Sequence, residues 1–160
     1  MEPNHYRVPG LSPEGRREPF LTATTEPETE RWATEPALDA VIGYFLGACP
    51  EAAGVVVAGR NGIPLASTIP RGERFHLVAV TAMAKLATWA GAAVAANLRL
   101  PEMSGVTIEG RDWKVILAPT PSRSAAVLVL MEKGDDPAQI QLALPGLLKE
   151  VDRTLENDAR

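Results

Sequence analysis

The feature that most constrains the fold of this chain is an alanine-rich stretch, FHLVAVTAMAKLATWAGAAVAANLRL, that follows a short hairpin pattern. Its apolar residues recur at helical spacing, which predicts one long helix. One apolar stripe, expected to face a sheet or core, comprises Phe75, Val78, Ala82, Leu86, Trp89, Ala93 and Leu100. A second stripe comprises Met83, Ala87, Ala90, Val94 and Leu98. A helix that is apolar on two sides must be buried on two sides or cross a membrane.

A membrane span is the alternative to weigh, because residues 77–98 are enough to cross a bilayer. Lys85 near the middle costs about 2.5 to 3.5 kcal/mol on insertion scales, and alanine does little to offset that cost. We therefore expect no membrane span. The second stripe is then expected to meet a partner subunit, with Gly91, Ala92 and Ala95 allowing close approach of two helices.

The hairpin before the helix is indicated by Asn61-Gly62 within GVVVAGRNGIPLAS. A two-residue type I′ turn needs positive φ at both central positions, and Asn-Gly tolerates this best. The pattern predicts a strand over residues 55–57 and a returning strand over 63–67. Pro64 has no N–H for a ladder, so we expect the second strand at an edge of the sheet.

The remaining elements follow from periodicity and turn residues. A first helix is predicted to begin at Thr34 or Glu35, with Pro36 in its first turn, and to end at Pro50. Three more strands are predicted over residues 105–109, 113–118 and 125–131. The first of them alternates apolar and polar residues, as a half-exposed strand does, whereas the last is continuously apolar and suits a central position.

A last helix is predicted from Asp135 and Asp136 before Pro137, an acidic cap followed by a first-turn proline. Pro145-Gly146 should break or kink this helix early. The order is α-β-β-α-β-β-β-α, which predicts an α/β (α+β) protein with one five-stranded, mainly antiparallel sheet.

Composition divides the chain in two. The net charge is −4, but the first 35 residues hold seven acids and four bases, so the rest of the chain is nearly neutral. Residues 1–33 are rich in proline and glutamate and are predicted to be a disordered tail, followed by one domain over 34–158. Phe20-Leu21 is an apolar pair inside this tail, either incidental in a linker or able to dock on another surface.

Charge and cysteine content restrict the partners and the compartment. There is no basic excess that would suit nucleic acid. Cys49 is the single cysteine and is expected to be a small buried apolar residue. The N-terminus shows no secretory pattern, and together with the lone cysteine this favours a cytoplasmic location.

The chain resembles the roadblock family, which is named from a dynein light chain and includes bacterial and archaeal regulators of small GTPases. The resemblance covers about residues 36–157. The segments that carry it are ALDAVIGYFLGACPEAAGVVVAGRNGIPLAS, LVAVTAMAKLATWAGAAVAANL, GVTIEGRDWKVILAPT and AAVLVLMEKGDD. It implies a profilin-like fold with the long second helix on one sheet face and the first and last helices on the other.

The same resemblance implies a dimer, either with itself or with a relative. The third strands would pair across a two-fold axis, and the two long helices would lie side by side. In the gliding-motility type, that helical face binds a small Ras-like GTPase and stimulates its hydrolysis, whereas other relatives act only as scaffolds. The leading hypothesis is therefore a homodimeric regulator or scaffold of a small GTPase. The alternative is a structural assembly subunit with no nucleotide-dependent partner.

Two sets of interface residues follow from this hypothesis. The set expected to face the GTPase comprises Thr81, Lys85, Thr88 and Ala92, with Lys85 as the best single candidate. The set expected at the dimer interface comprises Met83, Ala87, Ala90, Gly91, Val94, Val106 and Ile108. For the apolar members, an ordinary role in the core is the competing interpretation.

Catalytic chemistry is not indicated. His5, His76 and Cys49 form no nucleophilic or metal-binding pattern, so we expect no catalytic residue, no metal and no cofactor. An arginine finger acting on a bound GTPase would have to come from Arg60, Arg71, Arg74 or Arg99. We instead expect any stimulation of hydrolysis to come from repositioned switch loops.

Overall fold

A computed structural model describes residues 36–69 and 77–158. Its elements are α1 (Pro36–Ala48), β1 (Ala52–Gly59), β2 (Pro64–Ser67), α2 (Leu77–Asn97), β3 (Val106–Glu109), β4 (Trp113–Pro119), β5 (Ala125–Glu132) and α3 (Ala138–Asp158). The strands form one antiparallel sheet in the order β2-β1-β5-β4-β3. The predicted order of elements, the edge position of β2 and the central position of β5 are confirmed.

One face of the sheet is covered by α1 and α3. Successive residues of a strand point to opposite faces, and this face receives Val55 and Val57 of β1 and Val129 of β5, all fully buried. The helices contribute large side chains to the same cluster, Leu38, Ile42, Phe45, Ile140, Leu144, Leu147 and Val151. Cys49 is buried among them, as predicted. Each large side chain buried in this way contributes about 1.5 to 3 kcal/mol before entropy is counted.

The opposite face of the sheet is covered by α2. The sheet contributes Val56, Leu117 and Leu128 to this second cluster, and the fully buried residue that α2 contributes to it is Ala84. The two-layer arrangement predicted for the helices is confirmed, with α2 alone on its side of the sheet.

The face of α2 that meets the sheet is not the predicted one. Val78, Leu86 and Trp89, expected to face the core, are exposed, with 73% of Trp89 accessible to solvent. The side facing the sheet is instead lined by small residues such as Thr81 and Ala84. Periodicity reveals how many apolar faces a helix has, but small side chains decide which face can lie close to a sheet.

The hairpin is confirmed, but its turn type is not. Gly62 has a φ of 77°, whereas Asn61 is absent from the positive-φ residues of the described chain. The Gly62 N–H donates to the Gly59 carbonyl at 2.8 Å, and the Gly59 N–H donates to the Ile63 carbonyl at 2.8 Å. This is the three-residue loop in which a type I turn is followed by a left-handed glycine, with Arg60 as the additional residue.

Helix α3 continues through Pro145, so of the predicted break or kink the break is wrong. Proline removes one hydrogen bond within the helix, but Leu144 and Leu147 on either side of it are buried against α1 and the sheet. Their burial holds both halves of the helix on one surface. The predicted cap is confirmed, because the Ala138 N–H donates to Asp136 Oδ1 at 3.0 Å.

Two sets of expectations remain predictions. The tail over residues 1–33 lies outside the described residues, as do Arg71, Arg74, Phe75 and His76. Within the described ranges, α2 is the one helix long and apolar enough to span a membrane by length and composition alone. It packs one face on the sheet and carries Lys85 near its middle.

Candidate partner-binding surface

Three of the four residues expected to face a partner lie together in one cleft. Lys85, Thr88 and Ala92 fall on one flank of α2, because residues three, four and seven apart share a helix face. They line a cleft of about 610 Å³ between α2, the segment that follows it, and the ends of β1, β4 and β5. We call this the α2 cleft.

The α2 cleft has an apolar floor and a basic rim. Its apolar lining comprises Ala58, Trp89, Ala92, Ala95, Ala96, Leu100, Pro101, Met103, Pro119, Ala125 and Ala126. Its ionisable lining comprises three basic side chains, Arg60, Lys85 and Arg123, and one acidic side chain, Glu102. The Arg123 guanidinium donates to Glu102 Oε1 at 2.9 Å. The cleft therefore suits a partner that offers apolar atoms and negative charge.

The fourth predicted residue, Thr81, cannot contact a partner. Its side chain is 0% exposed, and its hydroxyl donates to the Gly62 carbonyl at 2.6 Å. A Cβ added at Gly62 would lie 3.3 Å from Ala82 Cα, so the turn touches the helix backbone. The assignment of Thr81 to a partner surface is wrong, because the hairpin turn covers it. Its role is to fasten the first part of α2 to the hairpin.

Thr88 and Lys85 differ in what they can offer a partner. The Thr88 hydroxyl already donates to the Ala84 carbonyl of its own helix at 2.9 Å and is half-buried. Lys85 is exposed, and its ammonium group carries the positive charge of this flank. Among the residues that the structure describes, Lys85 has no acidic partner, so within this set it is the residue best able to pair with an acidic group of a partner.

The residues expected at a dimer interface divide into two groups. Met83, Ala90 and Val94 are exposed on the outward side of α2. Ala87 instead packs on the cluster between α2 and the sheet. Gly91 faces its own chain, since an added Cβ would lie 2.6 Å from Met103 Sδ and 2.8 Å from Val106 Cγ2. For Gly91, close approach to a second helix is the wrong explanation.

Strand β3 offers an unpaired edge. Within the described ranges it pairs only with β4, from Val106 opposite Leu117 to Glu109 opposite Lys114. Ile108 is 49% exposed, and Val106 is half-buried near Gly91. An edge strand with free N–H and C=O groups is a ready template for pairing with another strand.

A buried carboxylate that the sequence did not predict holds the turn that carries Arg123 at the rim of the cleft. Asp152 on α3 accepts hydrogen bonds from the Ser122 N–H at 2.7 Å, the Ser122 hydroxyl at 2.6 Å and the Ser124 hydroxyl at 2.8 Å. Burial raises the pKa of Asp152, but the hydrogen bonds from Ser122, Thr120 and Ser124 outweigh it, and the net pKa is lowered.

This contact fixes the turn between β4 and β5. Arg123 in that turn has a φ of 58°, a left-handed conformation that costs a non-glycine residue about 1 to 2 kcal/mol. Asp152 holds the residues on both sides of it, so the Arg123 side chain is presented at the cleft. The partners are about 30 positions apart in sequence, and no local pattern could have linked them.

Comparison with known families decides the class of this fold. The Roadblock/LC7 domain family matches residues 45–131, more than half of the chain. The chain belongs to the Roadblock/LC7 family. The match begins inside α1 and ends in β5, so the roadblock signature contains the hairpin, α2 and the lining of the cleft that comes before α3. The predicted family resemblance is confirmed.

Solved structures share the roadblock fold at low sequence identity. Myxococcus xanthus MglB has a TM-score of 0.66 and 14% identity, over 76% of this chain and 97% of that one. A structure described as MglB with a tetrameric arrangement has a TM-score of 0.65 and 14% identity, over 75% and 88%. A Roadblock/LC7 domain from Streptomyces avermitilis has a TM-score of 0.64 and 15% identity, over 74% and 97%. No curated protein matches the chain.

Proposed function

We propose that this roadblock chain is a homodimeric, cytoplasmic binding protein that regulates or scaffolds a small Ras-like GTPase and is not itself an enzyme. The observation that best supports the proposal is the outward face of α2, where large apolar side chains lie in solvent. Family membership supports a regulatory role. The basic α2 cleft beside that face offers a surface for a second partner.

The outward face of α2 supports self-association. Met83 is 63% exposed, and Leu86, Val94 and Trp89 are exposed as well. Large contiguous apolar patches on a protein surface mark interaction sites, and covering them gains about 25 cal/mol per Å² of apolar area. In a two-fold dimer the same patch serves both subunits. Pairing of two β3 edges beside Ile108 would extend the sheet across the same axis.

Charge substitutions on this face test the dimer. We expect the double variant Met83→Glu/Val94→Glu to be monomeric by light scattering at micromolar concentration, where the unmodified chain is dimeric. Leu142→Glu is the matched control, because Leu142 is also exposed but lies on α3 at the opposite side of the sheet. A monomeric unmodified chain, or a dimer that survives the double variant, would refute the paired-helix arrangement.

The GTPase part of the proposal rests on the cleft and on Lys85. We expect the chain to bind one nucleotide state of a Ras-like GTPase encoded beside its own gene in preference to the other. Lys85→Glu should weaken this binding at least tenfold and leave the dimer intact. Lys133→Glu is the matched control, because Lys133 is exposed at the far end of β5.

Titration of the chain with the GDP-loaded and GTP-analogue-loaded GTPase separates the two candidate roles. Binding to one form, lost in Lys85→Glu, supports the regulator. Equal binding to both forms would favour a structural assembly subunit. If GTP hydrolysis is stimulated, we expect Arg60→Ala to retain the stimulation, since reshaping of the switch loops needs no arginine finger. A loss of stimulation above 10³-fold in Arg60→Ala would indicate a finger instead.

A further inference from the structure

We propose that the α2 cleft also binds a small amphipathic anion, a ligand with a planar apolar body and a phosphate or carboxylate head. Small-molecule sites are concave and mostly apolar, with volumes of about 300 to 1,000 Å³ and a few polar groups that fix the orientation of the ligand. The α2 cleft has this character, with a volume of about 610 Å³. The proposal does not depend on the identity of a protein partner.

The depth of the cleft comes from small side chains on both of its inner surfaces. Ala58 of β1 lies directly opposite Ala126 of β5 in the sheet, and both pack in the cluster under α2. From the helix, Ala92 and Ala95 line the same space. Because a side chain that ends at Cβ cannot fill the gap between a helix and a sheet, room remains there for the body of a ligand.

The other wall of the cleft is built by the chain that follows α2. Arg99 has a φ of 54°, and the Leu100 N–H donates to the Ala95 carbonyl at 2.9 Å. This is a Schellman helix end, in which a left-handed residue turns the chain away from the helix axis. Leu100 and Met103 are thereby brought to the cleft that Trp89 also lines. The indole of Trp89 offers a flat surface on which a planar ring can stack.

Arg60 and Lys85 are the residues that would hold the head of the ligand. Both line a second, neighbouring cavity as well, together with Ser124, which places them at the same end of the cleft. Arg123 is paired with Glu102 at 2.9 Å, whereas Arg60 and Lys85 have no salt-bridge partner among the described residues. Hydrogen bonds from a guanidinium or an ammonium group to an anion are about twice as strong as those between neutral groups.

The distribution of charge favours a small anion over an extended one. The chain as a whole has a net charge of −4, whereas the ionisable lining of the cleft is three basic side chains and one acidic side chain. A nucleic acid carries phosphates along its whole length, so it would extend beyond the cleft onto a chain of net negative charge. A ligand with a single head meets only the basic end of the cleft.

A bound ligand would also affect the proposed partner of this surface. Lys85 is the residue proposed to bind the GTPase, so the ligand and the GTPase would compete for it. The level of the anion would then control how much of the chain is available to the partner. This consequence rests on the proposed function, whereas binding of the ligand does not.

Titration of the ¹⁵N-labelled, full-length chain with 1-naphthyl phosphate tests the site by nuclear magnetic resonance. We expect saturable shifts of the Ala92 and Ala126 amides and of the Trp89 indole N–H. Inorganic phosphate lacks the body and 1-naphthol lacks the head, so each should bind about tenfold more weakly, a difference of about 1.4 kcal/mol. Equal affinity for 1-naphthol at neutral pH, or shifts confined to Met83 and Val94 on the outward face of α2, would overturn the proposal.

A second probe identifies the head group. The anion of 1-naphthoic acid has the same rings as 1-naphthyl phosphate but carries a carboxylate. Whichever of the two anions binds more tightly in the cleft shows which head the site prefers. Saturable binding of neither anion would overturn the proposal.

Variants of the cleft supply the controls. Lys85→Gln and Arg60→Gln should each weaken binding of 1-naphthyl phosphate about tenfold, whereas Lys133→Gln removes an exposed cation at the far end of β5 and should not change it. Ala92→Leu should abolish binding by filling the cleft. Ala79→Leu is its match, because Ala79 is exposed on α2 outside the lining of the cleft.

The same spectra show whether each variant is folded, because the amide resonances of α1 lie on the opposite face of the sheet and should keep their positions. Unchanged affinity in both Lys85→Gln and Arg60→Gln, or in a folded Ala92→Leu, would contradict the assigned site. None of these measurements requires a GTPase, so the ligand site and the proposed function fail separately.

Discussion

The two helical layers on this sheet are built in opposite ways. Helices α1 and α3 bury most of their large apolar side chains, such as Ile42 and Ile140, and leave only Tyr44 and Leu142 among them largely in solvent. Helix α2 buries Thr81 and Ala84 and leaves Leu86 and Trp89 in solvent. The first layer completes a core, whereas the second covers the sheet and presents a new apolar surface. Large apolar side chains grouped on a surface in this way are typical of interaction sites.

The α1–α3 layer should be far more sensitive to truncation. Ile140→Ala removes a fully buried side chain and is expected to lower the free energy of unfolding by about 2 to 5 kcal/mol. Urea denaturation measures this loss. Leu142→Ala, on the exposed side of the same helix, is the control and should change stability by less than about 0.5 kcal/mol. Equal losses at the two positions would contradict the assigned core.

The contact between α3 and the β4–β5 turn should give the next largest effect. Asp152→Asn weakens three hydrogen bonds to a buried carboxylate, and such charged bonds contribute about 1.5 to 3 kcal/mol each. We expect a loss of about 2 kcal/mol at neutral pH, measured by urea denaturation. Asp39→Asn on the exposed side of α1 removes only a charge in the first turn of that helix and should cost less than about 1 kcal/mol.

The pH dependence of this contact has a defined sign. Because the folded-state pKa of Asp152 lies below its ordinary value of 3.8, the carboxylate adds stability that is present above about pH 4. That stability is lost as the pH falls through the folded pKa. The difference between the unmodified chain and Asp152→Asn should therefore shrink below pH 4. A difference that stays constant down to pH 2 would exclude this assignment.

The attachment of α2 to the hairpin should give a smaller effect. Thr81→Val keeps the shape of the side chain but removes its donor, which leaves the Gly62 carbonyl without that hydrogen bond. We expect a loss of about 1 to 2 kcal/mol in thermal or urea unfolding. Thr88→Val is matched to it, since the Thr88 hydroxyl bonds only within its own helix, and should cost less. The reverse order would argue against the fastening role of Thr81.

The outward face of α2 should give the smallest effect on the single chain. Leu86→Gln changes a residue that is 57% exposed, so at high dilution we expect a stability change below about 0.5 kcal/mol. If a second copy covers this face, the loss should grow as the protein concentration rises, because dimerisation stabilises the folded state by mass action. A loss independent of concentration would mean that the face is not shared between copies.

Much of the fold could be predicted because local sequence patterns indicate each element. Alternation in residues 106–109 and the unbroken apolar run of β5 indicated an edge and a central strand, and the cap at Asp136 marked the start of α3. The turn at Gly62 was predicted as a turn, but its length was not, since one additional residue changes the turn type without changing its sequence signal. The continuity of α3 through Pro145 was missed because packing on both sides outweighs one lost hydrogen bond.

Most residues of the candidate site could be predicted from the sequence, but the direction in which their side chains point could not. Lys85, Thr88 and Ala92 were identified as one flank because helical spacing alone places them together. Thr81 was misplaced because nothing in the sequence reveals that the hairpin turn covers it. Asp152 and Arg123 were missed because their contacts join elements that are distant in the chain.

The sequence by itself determined the order of elements, the strand character of each segment, the two apolar sides of α2 and the family. These depend on periodicity and turn chemistry, which act over a few residues. Only the tertiary structure decided which side of α2 faces the sheet and which side chains line the cleft. The physical reason is that both sides of α2 are apolar enough to be buried, so close packing with small residues, and not hydrophobicity, selects the face that touches the sheet.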